Sequence, residues 1–341
     1  MILRQYLHAE PVIAASYLFG CGGRGRGAVV DPVADPEIYL RDSEALGLPI
    51  EYVIDTHVHA DHVSTGRRLA EAAGAEYVLF EGVDAGYGFT GVADDDELVL
   101  GNVRVRVLHT PGHTPEHLTL AVTDRARGEE PWFLVTGHTL MVGDLGRTEL
   151  ASSVEEGARA LFRSAERLRG FADHVEVLPG AYSGSVCGRG LSGKPTSTIG
   201  FERRHNRALA ITDEAEFVED QVGSLGDKPP NVERIVGLNK GPLVEDFGTP
   251  APLSPHEVEE LVEEGAVVID GRTNEQFDEA HIAGALSASS YDTGFATKVS
   301  RVAPPGADVI VVAASSGDER AAADLLAAVG MRVRGFLEGG M

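Results

Sequence analysis

The stretch Thr56-His57-Val58-His59-Ala60-Asp61-His62 constrains this chain more than any other. Three imidazoles and a carboxylate fall within six consecutive positions. They follow an apolar run, Tyr52-Val53-Ile54-Asp55, that reads as a buried strand, and precede Ser64 to Ala73, which reads as a helix. A turn at the end of a strand can send several side chains into one cleft. A regular strand or helix cannot, because its side chains leave at fixed angles. Neutral imidazole and carboxylate are the donors that borderline transition metals prefer. The competing explanation, a polar turn with incidental histidines, fares badly because crowded buried imidazoles need partners or a metal.

The length, 341 residues, is too great for one ordinary core, so two domains are expected. A net charge of -24, from 53 acidic against 29 basic residues, disfavours nucleic acid and anionic membrane as partners, since both need clustered cations. The densest acidic run, Asp94-Asp95-Asp96-Glu97, reads as a solvated loop. With only Cys21 and Cys187, neither a disulfide framework nor a paired-cysteine zinc site is available. The first residues lack the apolar core of a signal peptide and no apolar run would span a bilayer, so a reducing, cytoplasmic compartment is expected.

Val12 to Leu18 and Ala28 to Asp31 read as strands flanking a glycine-rich stretch. Gly20-x-Gly22-x-x-Gly25 formally matches a dinucleotide fingerprint, but that fingerprint must open a helix, and a second strand follows here. A glycine-rich hairpin fits better. Glu37 to Leu46 and Val154 to Arg169 read as helices; Ala75 to Phe80, Trp132 to Thr136 and Val175 to Leu178 read as strands; Glu97 to Val107 alternates as a half-buried hairpin would. The hairpin delivers a proline- and glycine-bent loop, Thr110 to His117, carrying His113, with His117 one helical turn further on as a structural or supporting group. Gly137-His138 follows another strand. Pro179 to Gly188 carries Tyr182 and Cys187; the thiol has no evident base beside it and reads as a packed small side chain rather than a reactive one. Pro229-Pro230 and Gly241 to Ser254 read as linker. A helix start follows, with Ser254 as N-cap and Pro255 in the first turn, and Ala266 to Asp270 and Asp308 to Val312 read as buried strands. The expected boundaries are 1–240 for a metal domain, 241–253 for a linker and 254–341 for a second domain.

His57-x-His59-x-Asp61-His62 resembles the metal motif of the metallo-β-lactamase superfamily. The surrounding residues resemble one branch, the persulfide dioxygenases, in the form fused to a rhodanese-like domain. Gly184-Ser185-x-Cys187-Gly188, Ser197 to Arg203 and Asn206 look like that branch; Asp270-Gly271-Arg272, Glu275-Gln276-Phe277 and Ala280 to Ala285 resemble a rhodanese domain. The implied fold is α/β: an N-terminal αββα sandwich and a C-terminal α/β rhodanese-like domain, a kind that usually continues into a further helix past Gly339-Gly340-Met341. Three positions depart from the family pattern. The aspartate expected after Gly137 is His138, the histidine of Pro-x-His is Ala181, and the cysteine of the rhodanese loop is Ala314. Asp144 matches a different family aspartate, not the ligand.

The resemblance implies one iron(II) per chain, with zinc as the alternative, held at the positions of His57, His113 and His138. Asp31, His59, Asp61, His62, Arg147, Tyr182 and Cys187 would support the metal turn or face the substrate. A binuclear zinc hydrolase of the glyoxalase II type would need a histidine at 181 and a bridging carboxylate at 138, and an imidazole cannot supply the latter. Replacing the anionic ligand by imidazole makes the site more positive by one charge, which favours an anionic persulfide and raises the iron potential. The expected reaction converts a low-molecular-weight persulfide and O2 to sulfite and thiol; glutathione, coenzyme A, bacillithiol and mycothiol remain open as carriers. A mononuclear zinc hydrolase, an altered-substrate enzyme of the same fold and a degenerate binding protein are the alternatives. Without a thiolate the rhodanese-like domain cannot pass sulfane sulfur through a cysteine persulfide. It is left as a surface for a protein partner, and self-association is open.

Overall fold

The computed structural model describes residues 1–33, 35–150, 153–225, 228, 231–244 and 250–339. The first layer comprises β1 (Ile2–His8), β2 (Ala14–Cys21), β3 (Arg26–Val30), α1 (Pro36–Leu46), β4 (Ile50–Ile54), α2 (Gly66–Ala73), β5 (Glu76–Phe80) and β6 (Thr90–Val92). The six strands pair in sequence order. β1, β2 and β3 run antiparallel, and β3 through β6 run parallel. The glycine-rich stretch is the β2–β3 hairpin. Helices α1 and α2 cover the outer face, where Leu18, Val29 and Val53 meet Tyr39 and Leu69.

The second layer comprises β7 (Glu97–Leu100), β8 (Val103–His109), β9 (Leu118–Asp124), β10 (Phe133–Gly137), β11 (Leu140–Met141), β12 (Asp144–Leu145), α3 (Val154–Arg169), β13 (Glu176–Pro179) and β14 (Ser197–Thr198). Its sheet runs β14-β13-β10-β9-β8-β7, with β11 and β12 as a separate small ladder. Tyr17, Phe19 and Ile54 of the first sheet meet Val107, Leu120 and Phe133 of the second in one core. α3 covers the outer face of the second sheet through Leu161, Ala165 and Leu168, spaced at three and four residues. Its start is fixed by Ser153, whose hydroxyl accepts from the Glu156 N–H. Four helices follow: α4 (Ile199–His205), α5 (Arg207–Ala210), α6 (Glu214–Gly223) and α7 (Val232–Lys240). The layers are helix, sheet, sheet, helix.

The remainder comprises β15 (Ala251–Leu253), α8 (Pro255–Glu263), β16 (Val267–Asp270), α9 (Asn274–Glu279), β17 (Leu286–Ser287), α10 (Phe295–Val302), β18 (Asp308–Val312), α11 (Ser316–Ala328) and β19 (Arg332–Leu337). Its parallel sheet runs β15-β19-β18-β16-β17. Ser254 and Glu257 form a full capping box at α8. Of the expected linker, 245–249 lie outside the described residues, as do Pro229 and Pro230. The C-terminal core reaches into the first domain, where Val12, Ala14 and Val33 share a cluster with Phe295, Val299 and Leu326. Each fully buried side chain of Val, Leu or Phe size contributes about 1.5–3 kcal/mol there. Two hydrogen bonds cross the same seam: Phe295 N–H to Glu10 Oε1 at 2.7 Å, and Val63 N–H to the Ala328 carbonyl at 2.8 Å. Among the described residues, no helix is long and apolar enough to cross a membrane.

Candidate metal centre

The loops that follow β4, β8, β10 and β13 gather at one end of the sandwich. They bring His57, His113 and His138 together, all buried, with one donor atom from each within 4.8 Å of the others. His138 Nδ1 and His113 Nε2 stand 3.3 Å apart. Two nitrogen donors on one tetrahedral ion lie about 3.3–3.4 Å apart when each bond is about 2.0–2.1 Å, so this pair is spaced as co-ligands are. Two glycines make the approach feasible. A Cβ on Gly112 (φ 144°) would lie 2.5 Å from Leu161 Cα of α3, and one on Gly137 (φ 48°) would lie 2.6 Å from both Thr56 Oγ1 and His117 Nε2.

Hydrogen bonds behind the rings fix which nitrogen faces inward. The Thr56 hydroxyl donates to Asp31 Oδ2 at 2.9 Å, so toward His57 Nδ1, 2.9 Å away, it can only accept. His57 is therefore protonated on Nδ1, and its Nε2 lone pair is left without a partner inside the site. His113 Nδ1 donates to the Arg147 carbonyl at 2.9 Å, which turns its Nε2 inward. His117 has the supporting role expected of it, but not in a helix. No helix follows His113; the loop runs straight into β9. His117 Nε2 accepts from the His138 N–H at 2.9 Å, and its Nδ1 donates to Thr139 Oγ1 at 2.9 Å. Both nitrogens are used, so His117 holds the His138 backbone and is not free to ligate.

Burial holds His57 and His113 below the ordinary imidazole value, and burial followed by the His113 charge lowers His138 to about 3. All three are neutral donors at physiological pH. The other half of the motif behaves oppositely. Burial works against protonation of His59, but Asp31 at 3.3 Å, then Asp55 and Asp61, outweigh it and raise His59 to about 9. Burial likewise opposes ionisation of Asp61, and His62 overcomes it, holding that carboxyl well below its usual range. His62 Nδ1 donates to Asp61 Oδ1 at 3.0 Å, which leaves His62 Nε2 and Asp61 Oδ2 unpartnered. Asp31 also accepts from the Thr56 N–H at 2.7 Å and so pins the start of the turn.

Arg147 meets the centre through its backbone carbonyl, while its guanidinium is bonded to Glu149 and the Val186 carbonyl. The Tyr182 hydroxyl donates to the His8 carbonyl at 2.8 Å, and so toward β1. The Cys187 thiol is packed, as expected, and lies with Asp61 and His138, donor atoms within 4.8 Å of one another. Burial, then the Asp61 charge, push that thiol well above its ordinary value. Position 181 supplies only a buried methyl.

One residue of the centre carried no signal in the sequence. Asn239, near the end of α7, donates to the carbonyls of His59 at 2.8 Å and His62 at 2.9 Å, and accepts from the Ser64 N–H at 2.9 Å. With Glu116, which accepts from the Val58 N–H at 3.0 Å, it fixes the turn from outside. A cleft of about 550 Å³ opens beside the turn, lined by Val58, Ala60, Thr114, Glu116, Glu149 and Lys240, among others.

The donors present suit a metal. Among the described residues, the partnerless buried side-chain atoms include His57 Nε2, Asp61 Oδ2 and His62 Nε2, all in this one cluster. Buried polar groups are normally satisfied, so this concentration of open donor atoms suits a metal ion.

Residues 9–180 match the family model of the metallo-beta-lactamase superfamily. The chain belongs to that superfamily. Residues 254–341 match the model of the rhodanese-like domain, so this is a metallo-β-lactamase fold with a C-terminal rhodanese-like domain. A crystal structure of a metallo-beta-lactamase from Staphylococcus aureus subsp. aureus COL superposes with a TM-score of 0.85 at 28% identity, covering 99% of this chain and 98% of that one. The hydroxyacylglutathione hydrolase of Rhodospirillum rubrum is 28% identical over 69% of this chain and 97% of its own length. The human mitochondrial persulfide dioxygenase ETHE1 is 27% identical over 70% of this chain and 87% of its own. A Burkholderia pseudomallei protein named "Probable metallo-hydrolase" is 30% identical over 186 residues, which span 63% of its length.

Proposed function

We propose that this metallo-β-lactamase-fold protein is a mononuclear non-heme iron oxygenase that acts on a low-molecular-weight thiol persulfide. The observation that carries the proposal is the convergence of three buried, neutral imidazoles, with the rings of His57 and His113 held from behind and His138 held by its backbone. These residues would hold the iron(II), which when bound supplies the redox chemistry between sulfane sulfur and O2. The balanced reaction is RSSH + O2 + H2O → RSH + SO3²⁻ + 2 H⁺, in which one sulfur gives up four electrons to O2.

The chain's own residues set up the reaction in three ways. Asp31, through Thr56, and the Arg147 carbonyl lock the tautomers of His57 and His113. Burial of the three imidazoles excludes bulk water. With no carboxylate at 138, the face carries no negative charge of its own, which suits an anionic persulfide entering from the cleft beside the turn. On the other side of the turn, His62 Nε2 is an unpartnered imidazole nitrogen.

A zinc hydrolase is the second reading, favoured by the intact His59, Asp61 and His62 donors and by the likeness to a hydroxyacylglutathione hydrolase. Against it stand the imidazole at 138 and the methyl at 181. Oxygen uptake by anaerobically iron-loaded protein given glutathione persulfide separates the two. The iron reading predicts uptake with one sulfite per O2, abolished by His113→Ala. Thioester hydrolysis by the zinc-loaded protein, with no uptake by the iron-loaded one, would replace it.

A further inference from the structure

The rhodanese-like domain reaches the metal turn by two routes, and both start at the end of α11. The first is direct. The Val63 N–H, one residue past His62, donates to the Ala328 carbonyl at 2.8 Å. The second runs through α7. Asn231 Nδ2, at the start of that helix, donates to the Val329 carbonyl at 3.2 Å. Gly330, at φ 77°, packs closely on the same helix: a Cβ there would lie 2.8 Å from Ile235 Cγ1 and 3.2 Å from Asn231 Cβ. Further along α7, Asn239 donates to the His59 and His62 carbonyls and accepts from the Ser64 N–H.

Helical spacing explains how one short helix serves several contacts. Asn231, Ile235 and Asn239 recur every four residues and so lie along one side of α7. Val232, Val236 and Lys240 recur every four on the adjacent side, and all three line the cleft of about 550 Å³ beside the turn. The far end of α7 is tied to the first domain, where Arg67 donates to the Gly241 carbonyl at 2.9 Å and the Tyr87 hydroxyl to the Asn239 carbonyl at 2.8 Å. The helix is a strut between the two domains, with the cleft wall on one side and the support of the turn on the other.

We propose that residues 328–330 of the rhodanese-like domain are a positioning element of the metal centre. Through Val63 and α7 they set the half of the turn from His59 to Ser64 and the cleft wall beside it. The other half rests on the first domain, because the Thr56 N–H is held by Asp31 and the Val58 N–H by Glu116. A domain without its sulfur-transfer cysteine thus keeps a task as the mount of the site. α11 starts at the loop that lacks the cysteine and ends at the metal turn.

The test follows single backbone amides by hydrogen exchange in the metal-free full-length chain. Two variants loosen the mount without touching the turn. Asn231→Gly removes the donor and keeps the left-handed backbone at φ 59°, while Gly330→Ala drives a methyl toward Ile235. Ser254→Ala breaks the capping box of α8, lowers the stability of the same domain from a different helix, and serves as the control. The expected result is faster exchange at Ser64 in both mount variants, with Thr56 and Val58 unmoved, and native exchange at all three in Ser254→Ala. The affinity for cobalt(II), read by competition with a chelator, should fall in the mount variants by about tenfold, the lower end of what losing an outer hydrogen-bond partner costs. Should Gly330→Ala fail to fold, Asn231→Gly decides alone. Native exchange at Ser64 in either folded mount variant, equal acceleration there in Ser254→Ala, or faster exchange with cobalt affinity unmoved would each overturn the proposal. Neither persulfide nor O2 enters the experiment, so it stands or falls independently of the oxygenase reading.

Discussion

Two loops in this protein are built on the same plan. Each leaves a buried parallel strand and opens a helix: one joins β4 to α2, and the other joins β18 to α11. The first leaves its polar atoms open. His57 Nε2, Asp61 Oδ2 and His62 Nε2 lack partners, while the backbone around them is bonded to Asp31, Glu116 and Asn239. The second closes on itself. Ser315 Oγ donates to Asp318 Oδ2 at 2.7 Å and accepts from the Asp318 N–H at 3.3 Å, and Tyr291 donates to the same carboxylate at 3.0 Å. No described side-chain atom in that loop is buried without a partner. Asp318 and Glu319 occupy the first turn of α11, where the helix dipole would otherwise favour a thiolate or a bound anion. The metal turn holds its backbone rigidly and leaves donors free; the β18–α11 loop satisfies its own side chains.

That contrast can be broken in order of expected effect. His57→Ala should remove bound iron and lower persulfide-dependent oxygen uptake by at least about a hundredfold, since the loss of a ligand exceeds the loss of its outer support. Metal analysis and an oxygen electrode check it together. Asp31→Asn takes the anionic acceptor from Thr56 and His59 and should weaken iron binding by about tenfold to a hundredfold with the fold intact, measured by competition with a chelator. Asn239→Ala strips the buried carbonyls of His59 and His62 of their donor and should cost roughly 2–4 kcal/mol in denaturant unfolding. An unchanged midpoint would mean that α7 does not brace the turn.

A smaller effect isolates one buried histidine away from the ligands. Burial, then the His62 charge, lowers His8 to about 4, against 6.5 for the free side chain. Between those values the unfolded chain binds a proton at His8 that the folded chain does not, so stability rises with pH across that window and is lost as pH falls toward 4. His8→Gln should reduce the slope of unfolding free energy there by up to about 1.4 kcal/mol per pH unit. An identical slope would show that His8 does not titrate as its burial requires. Last, Ala314→Cys restores a thiol to the exposed position in the β18–α11 loop. Thiosulfate:cyanide sulfurtransfer should stay at background, because Asp318 and Glu319 oppose the thiolate. Robust turnover would erase the distinction between the two loops.

Much of this was legible in the sequence because residue type alone carried it. The density of histidine at positions 57 to 62 marked the metal turn, and Ser254 marked a helix start that the structure reproduces. The glycine spacing at 20–25 could be read as a hairpin because a strand, not a helix, followed. Other features hid for physical reasons. β1 shows little alternation, with exposed and half-buried residues mixed, because it is an edge strand paired on one side only. The company of Cys187 depends on loops separated by 49 and 126 residues in sequence, and nothing local reports that closure. Asn239 is an ordinary helical asparagine until its side chain is seen bridging three backbone groups. The setting of His117 was misplaced, though not its supporting role, because the bend at Gly112 leads into a strand and a spacing of four suggested a helix that is not there.

His138 stands where the family pattern has a carboxylate, and its ligation decides between the three-histidine face and its alternatives. X-ray absorption of the anaerobic iron(II)-loaded chain, recorded beside His138→Ala, measures its part. The prediction is one iron per chain with a shell containing three imidazole nitrogens, reduced to two in the variant. A native spectrum with two imidazoles, or one that His138→Ala leaves unchanged, would contradict the three-histidine face.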